Sequence, residues 1–246
     1  MTMNKFRLYQ SPYLYICFGV LFLIFAGIAY PFDLEYNRAV QGLAAQYHAH
    51  QELKIIRVIG KGEFVVFLAL FFGIIRCKAI ALRILTAFII VSVIVWAFKI
   101  GVHRERPNSR DHFSFPSGDS GTSSCMAAVI SAQLPVMAIP GAAAIASVAF
   151  LRTYDNYHNL SDVLAGIGFG LLSAGLSVFI KLRRCRFFWK IKPFVFISLY
   201  ILLILIYLLP PLFNWAFLLW LGAGAIMAAL FNLRKRKTYD NGSQRY

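Results

Sequence analysis

Residues 79–102 read AIALRILTAFIIVSVIVWAFKIGV. Charge enters only at Arg83, near one end, and Lys99, near the other. A helix that crosses a bilayer needs roughly 20 mostly apolar residues, and this stretch is long enough. It decides the fold class, because comparable runs flank it on both sides. They cover residues 11–30, 62–75, 119–134, 137–151, 160–180, 193–209 and 212–231. The run at 62–75 is short but extends backwards through Val58 and Ile59. Pro31 ends the first run, Pro135 and Pro140 separate the fourth from the fifth, and Pro210-Pro211 break the seventh. The reading is an all-α, polytopic membrane bundle of eight spans, six in a core and two added C-terminally. The first run is too long for a cleaved signal peptide and no small-residue cleavage site follows it.

Composition supports this class and excludes others. Of the 246 residues, 59% are hydrophobic and 14% charged. Ordinary soluble domains have about 45–50% and about 25%. So few charges cannot cover a water-facing surface, and so apolar a chain is not disordered. The net charge of +15 would suggest nucleic acid in a soluble protein. In a membrane protein it reports sidedness. With a cytoplasmic N-terminus carrying Lys5 and Arg7, the segments 76–83, 181–192 and 234–246 fall on the same side. Nine of the 25 Lys and Arg remain for the other side, a bias that follows the positive-inside rule. All five histidines and every carboxylate except Asp240 fall on that sparser side, which is where chemistry is expected. Nucleic acid is therefore not an expected partner. Cys17, Cys77, Cys125 and Cys185 form no CxxC, so no zinc site is expected.

Three clusters share the sparser side. The first is Lys99-Ile-Gly-Val-His-Arg-Glu-Arg106-Pro107, leaving the third span. If the helix continues, Lys99 and Arg106 lie on one face, two turns apart. The second is Phe115-Pro116-Ser117-Gly118-Asp119-Ser120, entering the fourth span. Its glycine permits close backbone approach, and a helix N-terminus offers free N–H groups to an anion. The third runs from Arg152 through His158 to Asp162, entering the sixth span. His158 and Asp162 are four apart and stack on an opening helix. Together they describe a cradle for a dianion beside an oriented imidazole. Lys99, Arg106 and Arg152 supply charge and donors. His158 is a candidate nucleophile or base, with Asp162 fixing its tautomer. No carboxylate cage for a metal is evident, so electrostatics and positioning would carry phosphoryl transfer.

The three clusters resemble the type 2 phosphatidic acid phosphatase (PAP2) superfamily of membrane lipid phosphatases. Its signature is K-x6-RP, then PSGH, then SR-x5-H-x3-D. Lys99, Arg106 and Pro107 match the first part fully. Pro116-Ser117-Gly118 matches the second, with Asp119 in place of histidine. Arg152, His158 and Asp162 match the third, with Leu151 in place of serine. The resemblance implies that Lys99, Arg106, Ser117, the Gly118 backbone and Arg152 bind phosphate. It implies that His158 attacks phosphorus to form a phosphohistidine, that Asp162 orients it, and that no metal or other cofactor is required. The implied catalytic core is residues 1–182, with the motifs at 99–162. Residues 183–233 would add two helices and 234–246 a basic cytoplasmic tail.

Asp119 stands where the family's histidine protonates the leaving oxygen. A phosphate dianion would raise its pKa from the ordinary 3.9 or so, and the nearby cations and helix N-terminus would lower it. Two readings stay open: a working acid, or a leaving group good enough to need little protonation, such as an anomeric phosphate or a diphosphate. Bacterial lipid A phosphatases resemble this chain in having Gly-Asp in the middle motif. The expected activity is thus a lipid phosphatase of the bacterial inner membrane with a periplasmic site, acting on lipid A. Undecaprenyl diphosphate and phosphatidylglycerophosphate are the rival substrates. Phosphotransfer to another acceptor is a further rival, as is a non-enzymatic transporter. The oligomeric state is open. Among neighbouring residues, His103, Arg104, Glu105, Arg110 and His112 are expected to be mostly solvated. His48 and His50 are not expected to bind metal. Residues 47–59, with Leu53, Ile56 and Ile59 at helical spacing, are expected to form an interfacial helix.

Overall fold

The computed structural model describes residues 11–47, 53–75, 77–180 and 193–208. Among these, all regular structure is helical. The elements are α1 (Pro12–Ala29), α2 (Asp33–Tyr47), α3 (Lys54–Ile59), α4 (Gly62–Ile74), α5 (Lys78–Val102), α6 (Gly118–Gln133), α7 (Ala138–Tyr154), α8 (Leu160–Phe179) and α9 (Pro193–Leu208). Short 3-10 turns at Tyr30–Phe32 and Pro135–Met137 join α1 to α2 and lead into α7. Among the described residues, four helical segments are long and apolar enough to cross a membrane: Pro12–Gln46, Lys78–Val102, Pro135–Tyr154 and Leu160–Phe179. Gly62–Ile74 and Gly118–Gln133 coincide with two more expected spans but are shorter. The expected eighth span, the basic segment 181–192, the basic tail and the pair His48 and His50 lie outside the described residues.

The opening stretch forms α5, and its two faces differ. Ile84, Ala87, Val91 and Val95 are buried at helical spacing, while Ile89, Val93, Trp96 and Ile100 are exposed on the other side. Lys99 continues the buried stripe by one more turn and is only 8% exposed. The same periodicity that packs the helix therefore carries a lysine into the interior at its end.

α6 occupies the centre and packs against α5, α7 and α8. Its first turns, Ser120-Gly121-Thr122-Ser123-Ser124, are polar yet buried. The hydroxyls are satisfied by backbone carbonyls: Ser123 donates to Ser120, and Ser124 to Gly121 and to Ile167 across the interface. Such small polar residues suit helix contacts in lipid, where close approach and hydrogen bonds replace the hydrophobic effect. The approach is close enough that a Cβ at Gly170 would collide with the Gly121 carbonyl, and one at Gly166 with the Ser117 carbonyl. α1 lies on the other side of α8, with Gly19, Gly168 and Gly175 at the contact. α9 packs on α4, where Phe196 covers Gly73 and Tyr200 meets Phe67 edge-on at 5.3 Å.

The structure refines two expectations. Pro31 follows the end of the first α-helix at Ala29 but does not end helical structure. It falls in the first positions of a 3-10 turn, where its missing N–H is no loss, and the chain goes on as α2. Residues 54–59 form a helix, but it packs on α7 with Val58 buried, and Arg57 makes a bidentate pair with Asp155 at 2.6 and 2.7 Å. The segment is thus part of the protein's own packing.

Candidate active site

One end of the bundle gathers the C-terminus of α5, the loop 103–117, the N-terminus of α6, the end of α7 and the α7–α8 loop. The left-handed conformation of His103 (φ 49°) ends α5, with its N–H returning to the Lys99 carbonyl. The chain then folds back: Arg106 N–H donates to the Asp111 carbonyl and Ser114 N–H to the Arg104 carbonyl. Lys99 donates to the Phe113 carbonyl from below. Ser117 caps α6 through its hydroxyl, and its own N–H donates to the Asp162 carbonyl at 2.9 Å. The start of α6 is thereby tied to the start of α8.

His158 is 5% exposed, and its Nδ1 lies 2.8 Å from the Ser114 carbonyl oxygen. A carbonyl can only accept, so Nδ1 carries the proton and Nε2 the lone pair. Arg106 Nη1 stands 3.4 Å from Nε2, consistent with an acceptor there. Burial, and then the charges of Lys99, Arg106 and Arg152, push the His158 pKa well below 6.5, against the opposing effect of the Ser114 carbonyl. The imidazole is held neutral, with its free lone pair beside three cations.

Asp162 is fully buried and its nearest approach to His158 Nδ1 is 3.9 Å. Its hydrogen bonds go elsewhere. It accepts from Ser114 Oγ at 2.5 Å, from the Asn159 N–H at 2.8 Å in a capping box, and from Arg104 at 2.9 Å. It acts on His158 indirectly, by fixing Ser114, whose carbonyl holds the ring. Asp119, at the first turn of α6, makes an ion pair with Arg152. Gly60 packs directly on Asp119, where any Cβ would come within 2.7 Å of the aspartate's own Cβ.

Lys99, Arg106, Arg152, His158 and the Ser117-Gly118 turn are therefore brought to one place. The sequence reading missed several supporting groups. Arg104, expected to be solvated, bridges Asp33 at 2.8 Å and Asp162 at 2.9 Å and donates to Ser161. Asp33 also accepts from the Ser161 N–H, at the N-terminus of α8. An acid directly after an apolar run, Pro31-Phe32-Asp33, was the available signal. Tyr157 lies among three guanidinium groups, those of Arg106, Arg110 and Arg152, each 5.2 to 5.9 Å from its ring centre. Arg110 also donates to its hydroxyl at 2.7 Å. Asp111 holds Arg106 at 2.6 Å. Although slight burial works against it, the bonds from Arg106 and the Phe113 N–H keep the Asp111 carboxyl below its usual range.

Residues 79–186 match the profile of the PAP2 superfamily. A search of curated proteins returns no match. Among solved structures, Aquifex aeolicus LpxE superposes with a TM-score of 0.54 at 24% identity, covering 61% of this chain and 96% of that one. The first transmembrane PAP2 type phosphatidylglycerolphosphate phosphatase from Bacillus subtilis superposes with a TM-score of 0.54 at 23% identity, covering 73% of this chain and 98% of that one. The bundle has the fold of these PAP2-type proteins, and its segment 79–186, which holds all three motifs, matches the model of the PAP2 superfamily.

Proposed function

We propose that this protein is a lipid phosphatase that works through a phosphohistidine. The observation that carries the reading is the buried His158, with Nδ1 held by the Ser114 carbonyl and Nε2 directed toward Arg106. In the proposed reaction the substrate phosphate lies among Lys99, Arg106, Arg152 and the Ser117-Gly118 turn. Nε2 forms a bond to phosphorus and the bond to the leaving oxygen breaks. Water then attacks the phosphohistidine, releasing phosphate and restoring the imidazole. The cations stabilise charge on the equatorial oxygens, and no step is assigned to a metal. Asp162 and Ser114 keep the ring in place.

The ion pair between Asp119 and Arg152 bears on the leaving group. A carboxylate in contact with a guanidinium is favoured in its charged form, which has no proton to give. This supports the reading in which the leaving oxygen departs as a stabilised anion, as from an anomeric phosphate. A diphosphate would share that property, and lipid A is preferred over it because Gly118-Asp119 resembles the middle motif of bacterial lipid A phosphatases. The proposed setting is the bacterial inner membrane, with both termini cytoplasmic and the site periplasmic.

The test compares phosphate release by the detergent-solubilised protein, with EDTA present, from lipid A, undecaprenyl diphosphate and phosphatidylglycerophosphate. Release from lipid A, lowered at least about a thousandfold in His158→Ala, is the expected result. Full activity in that variant would sink the mechanism, and release confined to another lipid would replace the substrate.

A further inference from the structure

Two cavities lie side by side at the break between α1 and α2, and Tyr30 and Arg104 line both. One is a polar chamber of about 550 Å³. Its walls include Asn37, Gln41, Asn156 and Asn159, with Arg38 exposed among them. The other is a slot of about 620 Å³ walled mainly by apolar groups, among them Leu23, Ala26, Gly27, Val102 and Phe115. Neither holds Lys99, Arg106, Arg152 or His158, so both are distinct from the phosphate cradle.

The division matches an amphiphile. Ile24 and Ile28, beside the slot on α1, are 53% and 60% exposed, as expected of a face turned to lipid. Arg104 brings little free charge to the boundary, since Asp33 and Asp162 both pair with it. The chamber instead offers side-chain amides and an aromatic ring. The Asn37 Oδ1 atom is buried without a hydrogen-bond partner, although its Nδ2 donates to Asn159 at 2.6 Å. A buried acceptor left without a donor is costly. Some amide groups are engaged, Gln41 Nε2 with the Thr153 and Tyr154 carbonyls and Asn159 with Asn37 and Asp162, and the polar atoms that remain suit hydroxyl groups better than a second phosphate. The chamber also adjoins the catalytic loops. Pro107, Asn156 and Asn159 in its wall are chain neighbours of Arg106, Tyr157 and His158.

We propose that the chamber binds a hydroxylated saccharide head of the substrate and that the slot takes one of its acyl chains. The inference rests on the lipid-phosphatase reading and narrows its substrate to a glycolipid phosphate. Specificity then arises from α1 and α2, outside the three motifs, while the cradle supplies the chemistry.

Gly27 gives a clean probe, because a Cβ there would meet nothing within 4 Å. Gly27→Phe would fill the slot without displacing the helix. Asn37→Leu would remove the amide from the chamber. Both are assayed with a soluble aryl phosphate, a diacyl glycosyl phosphate and a prenyl phosphate. For the glycolipid, KM is expected to rise about tenfold or more in each variant. Hydrolysis of the aryl phosphate should stay at the wild-type rate, which also shows that the variants are folded. Asn37→Leu should leave the prenyl phosphate unaffected. Unchanged glycolipid KM in Gly27→Phe, or equal losses on all three substrates in Asn37→Leu, would overturn the proposal. If the wild type cleaves none of the three, it is the phosphatase reading that fails.

Discussion

At the scale of single residues, the site turns on which hydrogen bond each titratable group makes. Asp119 stands at the position of the family's histidine, and its pairing with Arg152 gives it two consequences. As a carboxylate paired with a guanidinium it would have no proton to donate, and in the proposed reaction it would compete with the incoming phosphate for Arg152. Asp119→Asn is therefore expected to keep kcat within about fivefold, roughly 1 kcal/mol, while inorganic phosphate inhibits more strongly. A working general acid contributes about a hundredfold or more, so a loss of that size, with one limb of the pH profile gone, would contradict the assignment. His158 makes a pH prediction with a defined sign. Its folded pKa lies well below 6.5, so the imidazole keeps its lone pair as the pH falls through that value. After allowance for ionisation of the substrate, kcat/KM should stay level further into acid than an ordinary histidine would permit. Stability should move the other way. Below about pH 6.5 the unfolded chain binds a proton that folded His158 does not, so thermal stability declines as pH falls through that region and is unaffected above it.

At the scale of elements, the interface of α6 and α8 sets the site. Glycines at 121, 166 and 170 let the two helices approach at backbone distance, and Ser124 bonds across them. Gly166 abuts the Ser117 carbonyl, at the turn proposed to bind phosphate, whereas Gly170 lies one turn further into the bundle against Gly121 and Ser124. Gly166→Ala and Gly170→Ala should each destabilise by about 1–3 kcal/mol through overpacking. Thermal unfolding in detergent measures this. Activity should separate them, with Gly166→Ala losing far more kcat because it shifts Ser117 and Gly118 relative to His158. Equal kinetic losses would mean that the turn is not positioned by this contact. The reach of Arg104 to both Asp33 and Asp162 performs a related task, linking the start of α2 to the start of α8.

At the scale of the whole molecule, the arrangement places all the candidate chemistry at one end of the bundle. At the other end Arg83 donates to the Ser177 carbonyl. In the proposed topology, which follows the positive-inside count, the site end is periplasmic. Arg110, exposed beside Tyr157, offers a reporter. In a cysteine-free background, a cysteine placed at position 110 should react with a membrane-impermeant thiol reagent added to spheroplasts. One placed at position 83 should react only after permeabilisation. The reverse pattern would invert the proposed topology.

Much of this architecture is readable along the chain, because lipid imposes one rule on every span. Backbone groups must be satisfied within the helix, so apolar length translates directly into element position. The eight apolar runs, the three motifs and their common side follow from that rule and from spacing alone. The break at Tyr30–Phe32 and the fate of Arg104 do not. Proline reads as a stop in one dimension, yet here it starts a turn that carries the chain into α2. Likewise, a charged residue in a loop reads as solvated until its partners are known. Asp33 lies 71 positions from Arg104, and Asp162 lies 58 away. The same holds for the His158 imidazole. Its four-residue spacing from Asp162 suggests direct contact, but the fold gives the ring to the Ser114 carbonyl, because Asp162 is already committed to capping α8 and binding Arg104. Sequence determined which residues meet, through helix periodicity and motif spacing. Tertiary structure decided which atoms bond, because each buried donor and acceptor had to be matched across distant segments.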